Sequence, residues 1–270
     1  MQTKTPRRGT IRLTRRGRIA LIATGAAAVA AAVAVPLLLP DDDTRAETLT
    51  IPEGWRSGQV YEAVDKALDV PAGTTKKALP KADLKLPKDA GGNPEGYLFP
   101  ATYPLSSQST PASVLSYMVN TAGKKFGVGQ VAAGADRNAV NVYQSVTIAS
   151  MIEAEAGSKE EMGKVARVIY NRLDQGMPLQ MDSTINYALN RSTLATSERD
   201  TKINSPYNTY ARMGLPPTPI GNPGEEAMRA ATNPTPGDWL YFVTVKPGDT
   251  RFTSSFEEHQ KNVGEFNKAK

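Results

Sequence analysis

Cysteine is absent from the 270 residues, and histidine occurs only once, at His259. Without cysteine there is neither a disulfide framework nor a thiolate nucleophile, so an ordinary packed core must hold the fold. One histidine cannot build a paired-histidine zinc site, and HExxH is missing. A GxSxG elbow, the GxGxxG spacing and a GK[ST] phosphate loop are also lacking, which leaves serine-hydrolase and nucleotide chemistry without support. No metal and no organic cofactor is expected.

Acidic side chains are missing from residues 1–40, where Lys4, Arg7, Arg8, Arg12, Arg15, Arg16 and Arg18 precede an apolar run. Those seven charges account for the formal net charge of +5: the remainder carries 25 basic and 27 acidic residues, with no excess to engage phosphates. Nucleic acid is not expected as a partner. From Ile19 to Leu39 no residue is charged, and such a run spans about 30 Å as a helix, the thickness of a bilayer core. Basic residues before it and Asp41, Asp42 and Asp43 after it fit the positive-inside rule. The expectation is a cytoplasmic tail over 1–18, a transmembrane helix over 19–39 and a linker over 40–47. The chain would then sit in the cell membrane as a single-pass protein with its bulk outside. A cleaved signal peptide is the alternative, but the run is longer than a usual h-region and lacks a clean small-residue cleavage site.

Beyond the linker, Thr48-Leu49-Thr50-Ile51 alternates like a short strand and Pro52-Glu53-Gly54 turns the chain. A helix capped by Ser57 is expected next, with Val60, Val64 and Leu68 at helical spacing. The Lys/Pro/Gly-rich stretch 71–94 reads as a link, and a second helix begins near Pro111, fading into Gly- and Ala-rich sequence around 123–134. Residues 142–156 form an apolar helical run interrupted by Glu153 and Glu155, which Gly157 ends through its tolerance of positive φ. Ser158-Lys159-Glu160-Glu161 matches a capping box, and Met162, Val165, Val168, Ile169 and Leu173 give the following helix its buried stripe. A helix near 224–232 and a strand over 239–245 close the chain. The fold class is α+β: a mainly helical body with associated strands, after a small strand-helix module.

Elimination leaves carboxylate chemistry. Glu153 sits among Ile148, Ala149, Ile152 and Ala156, where desolvation favours a neutral, proton-donating carboxyl group suited to glycosidic cleavage. Glu155 lies about 200° further around the helix, so the two are not a facing dyad. Helix pattern alone still favours the ordinary reading, a surface or internally hydrogen-bonded glutamate. His259, beside Glu257 and Glu258, reads as a surface or packing residue. Tyr207-Asn208-Thr209-Tyr210 fits core-edge packing and sugar contact equally, since tyrosine faces and amides engage pyranose rings and N-acetyl groups.

An ordered set of motifs carries a resemblance. It runs through Glu95-Gly96-Tyr97-Leu98-Phe99-Pro100, Ala149-Ser150-Met151-Ile152-Glu153, Asn171-Arg172-Leu173, Leu179-Gln180-Met181-Asp182-Ser183-Thr184, residues 207–210, Gly214-Leu215-Pro216-Pro217, Asn222-Pro223-Gly224 and Tyr241-Phe242-Val243. In this order they resemble the YceG-like (MltG) family of endolytic murein transglycosylases. The resemblance implies a lytic transglycosylase with Glu153 as its single catalytic acid and base and Gln180, Asp182, Tyr207, Asn208 and Tyr210 lining a glycan groove. It further implies an abbreviated LysM-like module with its link over 48–94, a catalytic domain over 95–270, peptidoglycan strands as substrate, and peptidoglycan synthases as candidate partners. A catalytically silent cell-wall binding or division scaffold is the competing reading, and a water-using hydrolase would need a second carboxylate such as Asp182 across the sugar.

Overall fold

In the computed structural model the described residues are 47–126, 129–191 and 196–269. The expected tail, the expected transmembrane helix at 19–39 and nearly all of the expected linker lie outside them. Among the described residues no helix is long and apolar enough to cross a membrane.

Strand β1 (Thr48–Thr50) pairs antiparallel with β2 (Thr102–Pro104), setting Leu49 opposite Tyr103, both buried. Ile51 N–H to Ala101 O and Leu105 N–H to Glu47 O, 2.9 and 2.7 Å, extend this small ladder at both ends. Helix α1 (Ser57–Ala67) follows, burying Val60, Tyr61 and Val64. Its cap is Arg56 and not the expected Ser57: the Arg56 N–H is met by Gln59 Oε1 at 3.0 Å, which frees the Ser57 N–H for a distant partner. The stretch from residue 71 is more ordered than its composition suggests. Buried Asp65 accepts from the N–H groups of Gly73 and Thr75 at 2.6 and 2.7 Å and so anchors a short helix α2 (Thr74–Ala78). Position 95, the expected boundary, is crossed by the β1–β2 pairing and by a single core that Leu49, Ile51, Val60 and Val64 share with the later helices.

Helix α3 (Pro111–Phe126) buries the expected Val114, Leu115, Met118 and Val119. The Gly/Ala-rich segment then forms helix α4 (Gly129–Arg137), which the sparse apolar pattern did not announce. Helix α5 (Val142–Glu155) lies at the centre. Asn141 and Gln144 exchange side-chain and backbone bonds at its start, both 2.8 Å, and every residue from Ser145 to Ile152 is buried, as befits a helix covered on all sides. It ends because Ala156 is extended, with φ −78° and ψ 129°. Gly157 does not take the left-handed conformation expected of it; instead its N–H donates to Glu161 Oε2 at 3.1 Å. Helix α6 (Lys159–Asp174) packs back against α5 through Met162, Val165 and Ile169, although Ser158 makes no side-chain cap bond. Helices α7 (Asp182–Ala188) and α8 (Glu225–Thr232) complete the packing around α5. The chain closes with an antiparallel hairpin, β3 (Tyr241–Lys246) and β4 (Asp249–Thr253), and helix α9 (Phe256–Ala269), unexpected because its sequence is mostly polar. The described residues form an α+β fold.

Candidate active site

Glu153 occupies the last turn of α5, where the helix emerges from the core, and is half-buried. Its Oε2 accepts the backbone N–H of Gly224 at 3.0 Å. Gly224 precedes α8, so this N–H is one of the unpaired donors at a helix start and carries the positive end of the helix dipole. Burial pushes the Glu153 carboxyl above its ordinary value, the Gly224 N–H opposes that, Glu53 adds to the rise and Lys159 opposes it. A carboxyl balanced in this way can release a proton and still find donors for the resulting anion.

Asn222 builds the surroundings. It is fully buried, and every polar group it has is used. Its Oδ1 accepts from Leu98 N–H at 2.8 Å, its Nδ2 and its N–H both donate to Trp55 O at 2.8 Å, and its carbonyl accepts from Gly54 N–H at 2.8 Å. The turn at residues 52–55 is thereby clasped to the 219–224 loop, on the side where Gly224 meets Glu153. Buried Glu95 reinforces the clasp: Oε1 accepts from Ser57 N–H at 2.9 Å and Asn222 Nδ2 at 3.3 Å, and Oε2 from Tyr187 Oη at 3.1 Å. The Arg56 guanidinium lies 5.1 Å from the centre of the Tyr187 ring, its Nη2 donating to Arg191 O at 2.8 Å. Burial raises the Glu95 carboxyl while these bonds and Arg56 act against it.

On the other side of Glu153, the carboxyl group of Glu155 accepts from Ser183 N–H at 3.1 Å at the start of α7. Burial raises it, the contacts with Ser183 oppose that, and nearby Asp182 raises it further. Tyr210 Oη donates to Asp182 Oδ1 at 2.6 Å. Asp182, Glu155 and Tyr210 therefore form one cluster. Buried Arg172 anchors the adjoining loop, donating to the carbonyls of Leu240, Pro178 and Leu179 at 2.6, 3.0 and 2.9 Å and to Gln180 Oε1 at 3.2 Å. Gln180 is exposed with φ +55°, held by that contact and by its N–H to Thr209 O at 3.0 Å. Tyr207 tilts against Tyr187 with ring centres 4.9 Å apart and bonds Thr218 through its hydroxyl at 2.9 Å. Asn208 is buried, and its amide is spent on the loop itself: Nδ2 donates to Thr201 O and Ile203 O, and Oδ1 accepts from the N–H groups of Tyr210 and Ala211. It shapes the loop and has no free amide to offer. His259 stacks on Tyr241 at 5.0 Å, the ring over which the Arg172 guanidinium lies at 5.1 Å.

The residues that sequence reasoning did not single out are Glu53, Glu95, Asn222 and Gly224. Three of these stood within the quoted motifs, but nothing local to those motifs signals a clasp around Glu153.

A family model described as the YceG-like family matches residues 24–265. The endolytic murein transglycosylase of Bacillus subtilis (strain 168) is 40% identical over 168 residues, covering 62% of this chain and 46% of that protein. The protein of the same name from Streptococcus pneumoniae (strain ATCC BAA-255 / R6) is 34% identical over 245 residues, 81% of this chain and 44% of that one. The chain thus spans a little under half the length of these curated relatives. A 2.6 Å crystal structure of a YceG-like protein from Listeria monocytogenes superposes with a TM-score of 0.68 at 29% identity, over 79% of this chain and 74% of that one. With the family pattern matched across nearly the whole sequence and the fold shared, this chain belongs to the YceG-like family.

Proposed function

We propose that the chain is an endolytic peptidoglycan lytic transglycosylase in which Glu153 is the catalytic acid and base. The observation that carries this reading is the placement of Glu153: a half-buried carboxyl with raised proton affinity, one oxygen held by Gly224 N–H. Glu153 protonates the oxygen linking N-acetylmuramic acid to N-acetylglucosamine, and the bond from that oxygen to the muramyl C1 breaks. The muramyl C6 hydroxyl attacks C1 and gives its proton to the Glu153 carboxylate. A 1,6-anhydro ring forms, Glu153 regains its proton and no water is consumed, which makes the enzyme a lyase. Substrate participation suits a site with one working carboxyl, since ordinary glycosidases need two. Gln180, Asp182, Tyr207 and Tyr210 line the glycan groove in this reading.

Residues 19–39 anchor the enzyme in the cell membrane, residues 1–18 lie in the cytoplasm and the domain beginning near residue 95 works outside, with residues 48–94 as an abbreviated LysM-like module. In that place it acts on nascent strands and terminates their elongation, beside peptidoglycan synthases. The test is mass spectrometry of glycan strands treated with the chain and with Glu153→Gln. Products ending in 1,6-anhydro-N-acetylmuramic acid, absent with the variant, are expected. Reducing-end products would overturn the lyase assignment, and cleavage by the variant would remove Glu153 from its role.

A further inference from the structure

Glu53 lies on the turn between β1 and α1, about a hundred residues before Glu153, yet the two carboxyl groups meet at one residue. A Cβ placed on Gly224 would overlap the Glu53 carboxylate and stand 2.9 Å from Glu53 Cγ, so Glu53 lies against the residue whose N–H holds Glu153. The next residue of the same turn is as close: a Cβ on Gly54 would stand 3.5 Å from Glu153 Cγ. The turn cannot drift, because Gly54 N–H and Trp55 O are both bonded to Asn222. Nor is Glu53 ion-paired. Among the described residues no arginine or lysine lies within ion-pair distance of it. The other carboxylates on the elements around Glu153 have partners of their own: Glu225 pairs with Lys125, Glu226 with Arg229, Glu161 accepts from Gly157 N–H, and Asp182 faces Glu155 and Tyr210. Among the described residues Lys159, at the start of α6, acts on Glu153 in the opposite sense to Glu53.

We propose that Glu53 is a positioning residue for Glu153, its carboxylate laid against Gly224 so as to bias Glu153 toward the form that donates a proton. The module before residue 95 then contributes to the chemistry itself, not only to strand binding. The inference rests on the acid-base reading of Glu153 given above. It also explains why the Asn222 clasp is so complete: an exposed like charge acts usefully on a neighbour only if its distance is fixed.

The test is a carboxyl ¹³C NMR titration of the 270-residue chain in detergent, with the Glu153 signal assigned by its loss in Glu153→Gln. In Glu53→Gln the Glu153 midpoint is expected to fall by about half to one pH unit, the effect of losing one nearby like charge at a solvated site. Raising the salt should lower the midpoint in the parent chain, where Glu53 outweighs Lys159, and raise it in Glu53→Gln, where only Lys159 is left to be screened. The alkaline limb of the cleavage profile should move by the same amount, and Glu53→Asp should restore most of it. An unmoved midpoint overturns the proposal, whether or not activity falls. Loss of all cleavage with an unmoved midpoint would make Glu53 a group that touches substrate, which is also a refutation. A moved midpoint in a chain that yields no anhydro product would sustain the Glu53–Glu153 coupling and refute the transglycosylase reading instead.

Discussion

Gly224 donates its backbone N–H to Glu153 Oε2 across 3.0 Å from the position just before helix α8. A half-buried carboxyl group is thereby tied to one of the few places where its anion is tolerated. Burial still dominates and leaves the native Glu153 binding its proton more tightly than the unfolded chain does. Between the two titrations the native state holds more protons, so stability declines as pH rises through that window and stays lower above it. Glu153→Gln, which cannot ionise, is expected to abolish cleavage and yet unfold at a higher temperature than the parent at neutral pH. The difference should shrink on acidification and vanish by about pH 3, where both states of the parent are protonated. Thermal unfolding of both chains across pH measures it.

Glu95 ties Ser57, Tyr187 and Asn222 together from a position only 4% exposed. Glu95→Ala would strand a backbone N–H, a phenol and an amide in the core, a loss of about 3 kcal/mol. Glu95→Gln keeps an acceptor for Ser57 and is expected to lose only about 1 kcal/mol. Urea unfolding distinguishes them, and equal losses would show that Glu95 acts through its charge and not through its acceptor geometry.

Much of this was legible in the sequence. The apolar run of α5 locates the central helix, and the two carboxylates that interrupt it, Glu153 and Glu155, are visible there, although only the ordered motifs around Glu153 single it out. Helices α4 and α9 escape the same reading because Gly, Ala and charged residues carry little periodic signal, and their contacts come from distant partners such as Thr232 and Tyr241. The clasp escapes it for a related reason. Asn222 is an ordinary loop residue until Trp55, Gly54, Glu95 and Leu98 surround it, and Asn208 resembles a sugar-binding amide until its own loop claims every bond.

Asn208 supplies a prediction of its own. Its Nδ2 donates to the carbonyls of Thr201 and Ile203 at 3.0 and 2.8 Å, so Asn208→Asp would replace two donors with an anion facing two carbonyl oxygens. Asn208→Asp is expected to destabilise at least as much as Asn208→Ala, itself worth about 2 kcal/mol. Limited proteolysis should find the 201–211 loop opened first in both variants. If Asn208→Asp were the milder change, the acceptor bonds to Tyr210 and Ala211 would be holding the loop instead.

Gly134 faces Thr232 at the far end of α8 from Gly224. A Cβ at residue 134 would come within 2.5 Å of Thr232 Cβ and 2.9 Å of its carbonyl oxygen. Alanine ordinarily gains about 1 kcal/mol over glycine inside a helix. Here the added methyl must push against backbone, and overpacking of that kind costs about 1–3 kcal/mol. Gly134→Ala is therefore expected to lower stability despite its better helix propensity, and because α8 carries the Glu153 donor at its other end, any shift of the helix should also lower cleavage. Urea unfolding and the rate of anhydro-product formation measure the two effects. A stabilised variant with full activity would mean that α4 yields to the methyl without moving α8.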